Sequence, residues 1–370
     1  MNADDITQKA TEIIARAQQI AEDASDSDAL REELDRLDAE LAQLDEEQRR
    51  LDSDMLDRGD VTGAEPTRAL DDPPWTQQLV DIVSDVAERF SSIGGGWPFR
   101  SNETVERTVP LTEAVPVVIE SRGGSIKVRR GDAGKVEVHA ELFAPSQDLL
   151  DEMTVTAEHE GSQVNVRAHW PEMRRGRRAR ITVVVPEGTA VRATTSGGSV
   201  SSADVRGPAT LSTRGGSVTV DGSDGDLDAR TKGGSIRVSN HRGSVKAATM
   251  GGSVHLGGIL QGTVDASTAG GSVHIDGVDG ATVQATTSGG SIEVHGRLIG
   301  HNRIRTAGGS VRVTLPPDAQ VHIDGKGSSA SSDFAELDVT RGHIQGTLGD
   351  GHEGTVEFKT SGGSATLRKS

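Results

Sequence analysis

Residues 264–275 read VDASTAGGSVHI, and residues 283–294 read VQATTSGGSIEV. When these two stretches are aligned on their Gly-Gly-Ser triplets, the same kinds of residue stand at nearly every position. The triplet occurs seven times at steps of 18 or 19 residues, and its first glycines are Gly197, Gly215, Gly233, Gly251, Gly270, Gly289 and Gly308. A repeat this short is typical of a solenoid, in which each repeat forms one layer.

Each repeat contains two short runs in which apolar and polar residues alternate. In one repeat Val264 and Ala266 precede the glycines, and Val273 and Ile275 follow them. A period of two residues indicates β-strands. Stacked parallel strands lie about 4.8 Å apart, so aliphatic columns can pack inward while the alternate columns face water. The sequence therefore predicts a mainly β fold, a parallel β-solenoid with two-strand coils of 18–19 residues.

The Gly-Gly-Ser triplet is predicted to form the corner between the two strands of a coil. Glycine reaches positive φ values that other residues avoid, which suits a tight reversal of the chain. Threonine stands two positions before the first glycine in every regular repeat, at Thr195, Thr213, Thr231, Thr249, Thr268, Thr287 and Thr306. Its hydroxyl group can bond the turn backbone or a neighbouring layer. We therefore interpret the seven first glycines as structural turn residues.

The coil pattern extends beyond the seven regular repeats. It fits residues 117–128 once, gives way to less regular strands, and fits again at residues 356–367. We therefore divide the β part into an irregular region, 104–190, that leads into the solenoid, and a regular region, 191–370. Phe358 replaces a small residue of its column, and we expect its coil to close the C-terminal end of the core.

The composition fits a stack of small coils better than a globule with a bulky core. The 370 residues include 46 glycines, no cysteine and no tyrosine, and aromatic residues make up 2%. Because cysteine is absent, disulfides, thiol catalysis and thiolate metal sites are excluded. No apolar run approaches the roughly 20 residues of a membrane span, and the first residues are acidic, so we expect a cytoplasmic protein.

The N-terminal region is acidic and has a helical pattern. Residues 1–60 hold 19 Asp and Glu against 7 Lys and Arg, a net charge of −12 out of −17 for the chain, which argues against nucleic acid binding. Apolar residues follow heptad spacing at Leu30, Leu34, Leu37, Leu41, Leu44, Leu51 and Met55. This spacing predicts that residues 1–58 form either an acidic helical hairpin within one chain or a coiled coil between chains. We expect a protein partner or self-association through these helices.

A linker rich in Gly, Pro and Asp, residues 59–74, precedes an amphipathic helix predicted over residues 75–96. The apolar face of this helix is marked by Leu79, Val83, Val86, Phe90 and Ile93. Such a helix could lie on a membrane, but its polar face is acidic rather than basic. Packing against another part of the protein is therefore the favoured interpretation, and membrane association is the alternative.

Residues 115–186 resemble a known family. The stretch Val115-x-Val117-x-Ile119-x-x-Gly-Gly-Ser-Ile126-x-Val128 and the strand that ends in Val-Val-Val-Pro186, just before the turn repeats, are similar to the bacterial "putative adhesin" or Toastrack β-strand repeat domains. The resemblance covers about residues 104–370. It implies a non-enzymatic β-solenoid, often linked to cell-envelope stress systems, and it supplies no site residues to carry over.

The best local candidate for a binding site is an arginine cluster. Five guanidinium groups stand within seven residues just before a predicted strand, at Arg174, Arg175, Arg177, Arg178 and Arg180. Phosphate, an anionic polymer or an acidic protein segment could bind there. A charged hairpin tip without a ligand is the alternative.

His255 and His274 occupy the same outward column on adjacent layers, near enough in principle to share a metal ion. The column continues as Arg237, Glu293 and Arg312, which is typical of a solvated face. We therefore expect no metal site and no cofactor.

The repeat carries no complete catalytic motif. A nucleophile elbow needs a glycine two residues after the serine, and no regular repeat has one there. We therefore expect a non-catalytic structural or interaction protein, a scaffold whose N-terminal helices recruit a partner or make an oligomer. The alternative is a carbohydrate-binding or carbohydrate-active β-helix, which would need paired carboxylates in a groove and usually aromatic platforms for sugar rings.

Overall fold

The computed structural model of the chain describes residues 101–370, except residue 133 and residues 172–175. The helices predicted over residues 1–58 and 75–96, and the linker between them, lie outside the described residues. The described part forms 25 strands in one continuous hydrogen-bonded sheet. No helix within this part is long and apolar enough to cross a membrane.

The strands and one short helix follow the chain in a simple order. The helix α1 spans Gln147–Asp151. The strands are β1 Ser101–Pro110, β2 Val117–Ser121, β3 Ile126–Arg130, β4 Lys135–Ala144, β5 Thr154–Glu160, β6 Gln163–His169, β7 Arg178–Val185, β8 Val191–Thr195, β9 Val200–Ala203, β10 Ala209–Thr213, β11 Val218–Asp224, β12 Leu227–Thr231, β13 Ile236–Arg242, β14 Val245–Thr249, β15 Val254–Thr268, β16 Val273–Thr287, β17 Ile292–Leu298, β18 Gly300–Thr306, β19 Val311–Leu315, β20 Val321–Lys326, β21 Ser329–Ser332, β22 Asp338–Thr340, β23 His343–Thr347, β24 Gly354–Thr360 and β25 Ser364–Lys369.

Each regular layer contributes one strand to each of two faces. The strand before the Gly-Gly-Ser corner lies in the upstream face, and the strand after it lies in the downstream face. Neighbours along the upstream face are parallel in the order β6, β2, β8, β10, β12, β14, the end of β15, the end of β16, β18, β24 and β20. The downstream face runs in parallel through β7, β3, β9, β11, β13, the starts of β15 and β16, β17, β19, β25 and β21. The prediction of a mainly β, solenoid-like fold is confirmed.

The layers do not stack in chain order at either end. The coil of β2 and β3 lies between the layer of β6 and β7 and the layer of β8 and β9. The coil of β24 and β25 likewise lies between the layer of β18 and β19 and the layer of β20 and β21. The structure therefore differs from the expectation for the coil of Phe358, because this coil is the second layer from the end and β20 and β21 cover it.

Inward side chains form one continuous buried core. The column that includes Ala247, Ala266 and Ala285 is fully buried, which keeps the two faces close together. Phe358 stands in this column with 1% exposure, and Gly325 lies opposite it in the next layer. A Cβ on Gly325 would lie 2.3 Å from the Phe358 ring. The large side chain is thus accommodated by a glycine in the layer that covers it.

The reason for glycine at the Gly-Gly-Ser corner differs from the predicted one. In the seven regular repeats neither glycine has a positive φ. A Cβ on the second glycine of a triplet would lie 2.1 to 2.4 Å from the second glycine of the layer before it, closer than real Cβ atoms approach. The second glycines are Gly198, Gly216, Gly234, Gly252, Gly271, Gly290 and Gly309. Glycine is required here because the backbones of adjacent layers lie too close for any side chain.

The threonine of each regular corner, and the serine of nearly all of them, bond to the preceding layer. The Thr249 hydroxyl donates to the carbonyl oxygen of Gly234 at 2.8 Å, and all seven threonines make the equivalent bond. The backbone N–H of Ser253 donates to the Ser235 hydroxyl at 3.2 Å. The Gly251 N–H donates to the Lys232 carbonyl at 3.0 Å. Every layer is therefore tied to its neighbour at the corner as well as along both strands.

The second corner lies between a downstream strand and the next layer. The change in repeat length from 18 to 19 residues is accommodated there. Arg242 lies opposite Leu260, and Val245 lies opposite Val264, so the layer of β15 holds one extra residue between these positions. Gln261 has a φ of 63°, the left-handed backbone of a tight turn. Because the extra residue is confined to this corner, the columns of both faces stay aligned when the repeat lengthens from 18 to 19 residues.

Antiparallel strands cover both ends of the solenoid. At the N-terminal end β1 pairs with β4, β4 with β7, and β5 with β6. At the C-terminal end β20 pairs with β23, and β23 with β22. Glu103 and Arg107 of β1 are exposed and share one side of the strand with the buried Val105 and Val109. Charges at such positions disfavour the addition of a further strand.

His241 is a buried polar residue in an inward column that continues as Ile259. Its side chain is 2% exposed, and its Nδ1 lies 2.7 Å from the Ser223 hydroxyl oxygen. Burial lowers the pKa of His241 below the ordinary value for histidine. The folded protein therefore holds this imidazole in its neutral form more strongly than the unfolded chain does.

Replacing Gly252 with alanine tests the close approach at the corner. The new Cβ would lie 2.3 Å from the Gly234 carbonyl oxygen, so we expect Gly252→Ala to lower the free energy of unfolding by about 1–3 kcal/mol or more, the range for overpacked interiors. Gly257→Ala is the matched control, because a Cβ on Gly257 meets no atom within 4 Å and its φ is not in the left-handed region. Equal stability of the two variants in urea denaturation would contradict this explanation.

The lowered pKa of His241 predicts that the folded protein loses stability as the solution becomes acidic. As the pH falls through about 6.5, the unfolded chain binds a proton at this residue while the folded protein resists it, so the stability is present at neutral pH and is lost toward pH 5. His241→Ile should show a smaller fall between pH 7.5 and pH 5.5 in denaturation experiments. The same pH dependence in His241→Ile and in the wild type would refute the assignment.

Candidate functional site

The structure separates the residues of the predicted arginine cluster. Arg174 and Arg175 lie outside the described residues. Arg177 precedes β7 and is buried, whereas Arg178 and Arg180 lie on β7 and are exposed. Since side chains alternate along a strand, Arg178 and Arg180 share the outer side of the downstream face.

Arg177 is buried and forms an ion pair inside the protein. Its side chain is 1% exposed, and its Nη2 donates to Glu152 Oε2 at 2.7 Å. Glu152 follows α1 directly, so the ion pair fastens the segment before β7 to the end of the helix. The guanidinium group of Arg177 therefore does not lie on the surface that the cluster was predicted to present.

Arg178 and Arg180 form a compact basic patch with an aromatic base. The guanidinium carbons lie 5.0 Å and 5.6 Å from the centre of the Phe143 ring, a cation–π arrangement. Arg180 also donates to Glu141 Oε2 at 2.6 Å. Partial burial and the neighbouring Arg180 charge lower the pKa of Arg178. Two guanidinium groups held side by side are suited to a carboxylate, sulfate or phosphate group.

A groove of about 570 Å³ runs across the upstream face beside the second corner. Charged side chains from successive layers line it: Arg192, Asp226, Asp228, Lys246 and Asp265. The groove thus supplies the carboxylates that the carbohydrate hypothesis requires. Its lining includes no aromatic side chain, so it does not supply a platform for sugar rings. Sequence reasoning missed this groove because its residues come from separate repeats, although they stand at matching positions of the repeat.

The two histidines of the outward column meet as predicted. His255 lies opposite His274 in the parallel register, and the ring centres are 6.1 Å apart. His274 Nδ1 lies 3.2 Å from Glu293 Oε2, and Arg312 donates to Glu293 Oε1 at 3.3 Å. Partial burial, the Arg237 charge and His274 lower the pKa of His255. The column is exposed to solvent, but contacts join its members from layer to layer: His255 to His274, His274 to Glu293, and Glu293 to Arg312.

Metal-ligating side chains do not converge in larger groups. Within residues 101–370, gaps excepted, no three histidine or carboxylate side chains are placed to hold one metal ion. The serines of the Gly-Gly-Ser corners are engaged in the ladder between layers, as the bond from Ser235 N–H to the Ser217 hydroxyl illustrates. At these corners the serines therefore take part in the contacts between layers.

Solved structures that match the chain include proteins of Parabacteroides species and of Clostridium sporogenes. A "putative adhesin" from Parabacteroides merdae is 11% identical, with a TM-score of 0.43 and coverage of 72% of this chain and 96% of that chain. A "putative lipid binding protein" from Parabacteroides distasonis is 12% identical, with a TM-score of 0.38 and coverage of 72% and 97%. A "putative cell adhesion protein" from Clostridium sporogenes is 9% identical, with a TM-score of 0.25 and coverage of 73% and 100%. Scores this low support no inference about function.

The sequence comparisons give a clearer result. No curated protein matches the chain. The family model described as Toastrack DUF4097 matches residues 116–368, which is well over half of the chain and spans the coils of both faces from β2 to β25. The chain therefore belongs to the Toastrack DUF4097 family.

Proposed function

We propose that this protein is a non-catalytic structural or interaction protein whose solenoid is a rigid platform for binding on its outer surface. The observation that carries the proposal is the ladder at the Gly-Gly-Ser corner, which ties each regular layer to the one before it through threonine and most of them also through glycine and serine. A filled interior and tied layers leave the outward columns as the surface for a partner.

The closed ends support a discrete platform rather than a growing filament. β1, β4 and β5 extend the sheet beyond the N-terminal layer on both faces, and β23 and β22 extend it beyond β20 on the upstream face at the C-terminal end. Trp170 is buried, and its ring lies 3.6 Å from where a Cβ on Gly123 would stand, so it covers the first corner glycine. At the other end Ser328 donates to the Gly363 carbonyl from both its N–H and its hydroxyl. The glycine column is therefore covered at both ends.

The basic patch of Arg178 and Arg180 is the proposed contact for an anionic partner. It lies on the first layers of the downstream face, and the chain places Arg174 and Arg175 only a few residues before it. Phe143 beneath the guanidinium groups restrains them, which reduces the entropy lost on binding.

The N-terminal residues are the second part of the proposal. The leucine heptads of residues 1–58 support self-association or recruitment of a protein partner, and the amphipathic pattern of residues 75–96 supports packing or a membrane contact. A cytoplasmic location with a role at the cell envelope is also proposed. Its support is the sequence pattern and the resemblance to Toastrack domains, and cell fractionation tests it.

Retention on a polyanion tests the basic patch. We expect Arg178→Ser with Arg180→Ser to elute from heparin at a lower salt concentration than the wild type, because two restrained guanidinium groups are lost. Arg303→Ser with Arg305→Ser is the matched control, since it removes two exposed arginines from the upstream face near the opposite end. If both double variants elute together, the patch is not a distinct anion site.

Light scattering tests the N-terminal part. If the leucine heptads join chains, the full chain should have the mass of an oligomer and a variant lacking residues 1–60 the mass of a monomer. The same number of chains in both proteins would contradict association through this region.

A further inference from the structure

One part of the downstream face concentrates metal-ligating side chains. His255, His274, Asp276, Glu293 and His295 occupy two neighbouring outward columns on three adjacent layers. None of these five side chains is buried, and the strands that carry them, β15, β16 and β17, are held in register by the parallel ladder. The positions of the five side chains are therefore set by the solenoid rather than by a loop.

Two of the histidines face each other with open space beside them. The rings of His255 and His274 are tilted by 48°, with centres 6.1 Å apart. The next outward residue after His255 is Gly257, and a Cβ there would meet no atom within 4 Å. Gly257 therefore places no side chain next to the His255 ring in the neighbouring outward column.

A chain of contacts orients one of the rings. Arg312 donates to Glu293 Oε1 at 3.3 Å, and Glu293 Oε2 lies 3.2 Å from His274 Nδ1. At 3.2 Å the Glu293 carboxylate is near enough to restrain the His274 ring electrostatically. Carboxylates beside metal-binding histidines commonly position the ring in this way.

We propose that His255 and His274 together bind a divalent transition metal ion through their imidazole nitrogens, with Glu293 as a positioning residue. Solvent completes the coordination, because no third protein ligand converges on the same point in the part of the chain that the structure describes. Imidazole ligands suit copper, nickel and zinc, and among these Cu²⁺ binds most tightly. The site is weaker than a four-ligand structural zinc site, and it binds an ion at the surface without contributing to the core.

Arg237 gives the proposal a second, opposite test. It lies directly opposite His255 in the layer before, so its positive charge opposes a cation at the histidine pair. Removing this charge should strengthen metal binding, whereas a merely solvated face has no reason to respond in that direction.

Titration of the untagged full chain with Cu²⁺ provides the experiment. Isothermal titration calorimetry measures affinity, and electron paramagnetic resonance counts the imidazole nitrogens on Cu²⁺. The wild type should show one site with two nitrogens. His255→Gln and His274→Gln should each lose one nitrogen and bind at least tenfold more weakly. Glu293→Gln keeps both ligands and should bind about tenfold more weakly, the size of effect known for such supporting carboxylates.

Matched variants separate this site from the other histidines. Arg237→Ser should bind Cu²⁺ more tightly than the wild type, and His301→Gln, on the opposite face, should equal the wild type. All of these positions are solvent-accessible, so the thermal unfolding midpoint of each metal-free variant should stay close to the wild-type value. Wild-type affinity in His255→Gln or His274→Gln, or an unchanged nitrogen count in either, would overturn the proposal.

Discussion

The close approach of backbones at the Gly-Gly-Ser corner is the constraint on which the rest of the structure depends. A Cβ at the second glycine would stand 2.1 to 2.4 Å from the same glycine one layer before. The layers can therefore stack at strand spacing only if this column is glycine throughout. Once the glycine backbones are in contact, the carbonyl of one layer lies within reach of the threonine hydroxyl of the next, as in the bond from Thr249 to Gly234.

This contact fixes the register of both faces at the same time. The upstream strand ends at the corner and the downstream strand begins there, so a slip in one face would move the glycines out of contact. The second corner also brings backbones close together, since a Cβ on Gly243 would lie 2.5 Å from the Gly225 carbonyl oxygen. The additional residue Gln261 is nevertheless accommodated there without shifting Val264 from its position opposite Val245. Adjacent layers therefore approach closely at both corners, and the second corner is the one that tolerates a change in length.

Much of the solenoid could be predicted from the sequence, because each column of the repeat has one physical role. The inward valines, the threonines and the corner glycines were all identified by position alone. The reason for the glycines was predicted wrongly, since crowding between layers is a tertiary effect that a local turn preference does not contain. The order of the layers at the ends was also hidden. The coils of β2 and β24 match the repeat, but the sequence of a matching coil does not indicate which layer will lie next to it.

The candidate sites were harder to predict than the solenoid, because they too depend on tertiary contacts. Five arginines in seven residues suggested one surface, yet the strand that follows sends Arg177 inward to Glu152 and Arg178 outward to Phe143. By contrast, the histidine pair followed directly from the repeat, because residues 19 positions apart in one column must be neighbours. What the repeat could not supply was the contact of Glu293 with His274, which depends on side-chain geometry. In a solenoid, chemistry arises between equivalent positions of adjacent layers, so the outward columns, rather than local clusters in the sequence, are where function can be built.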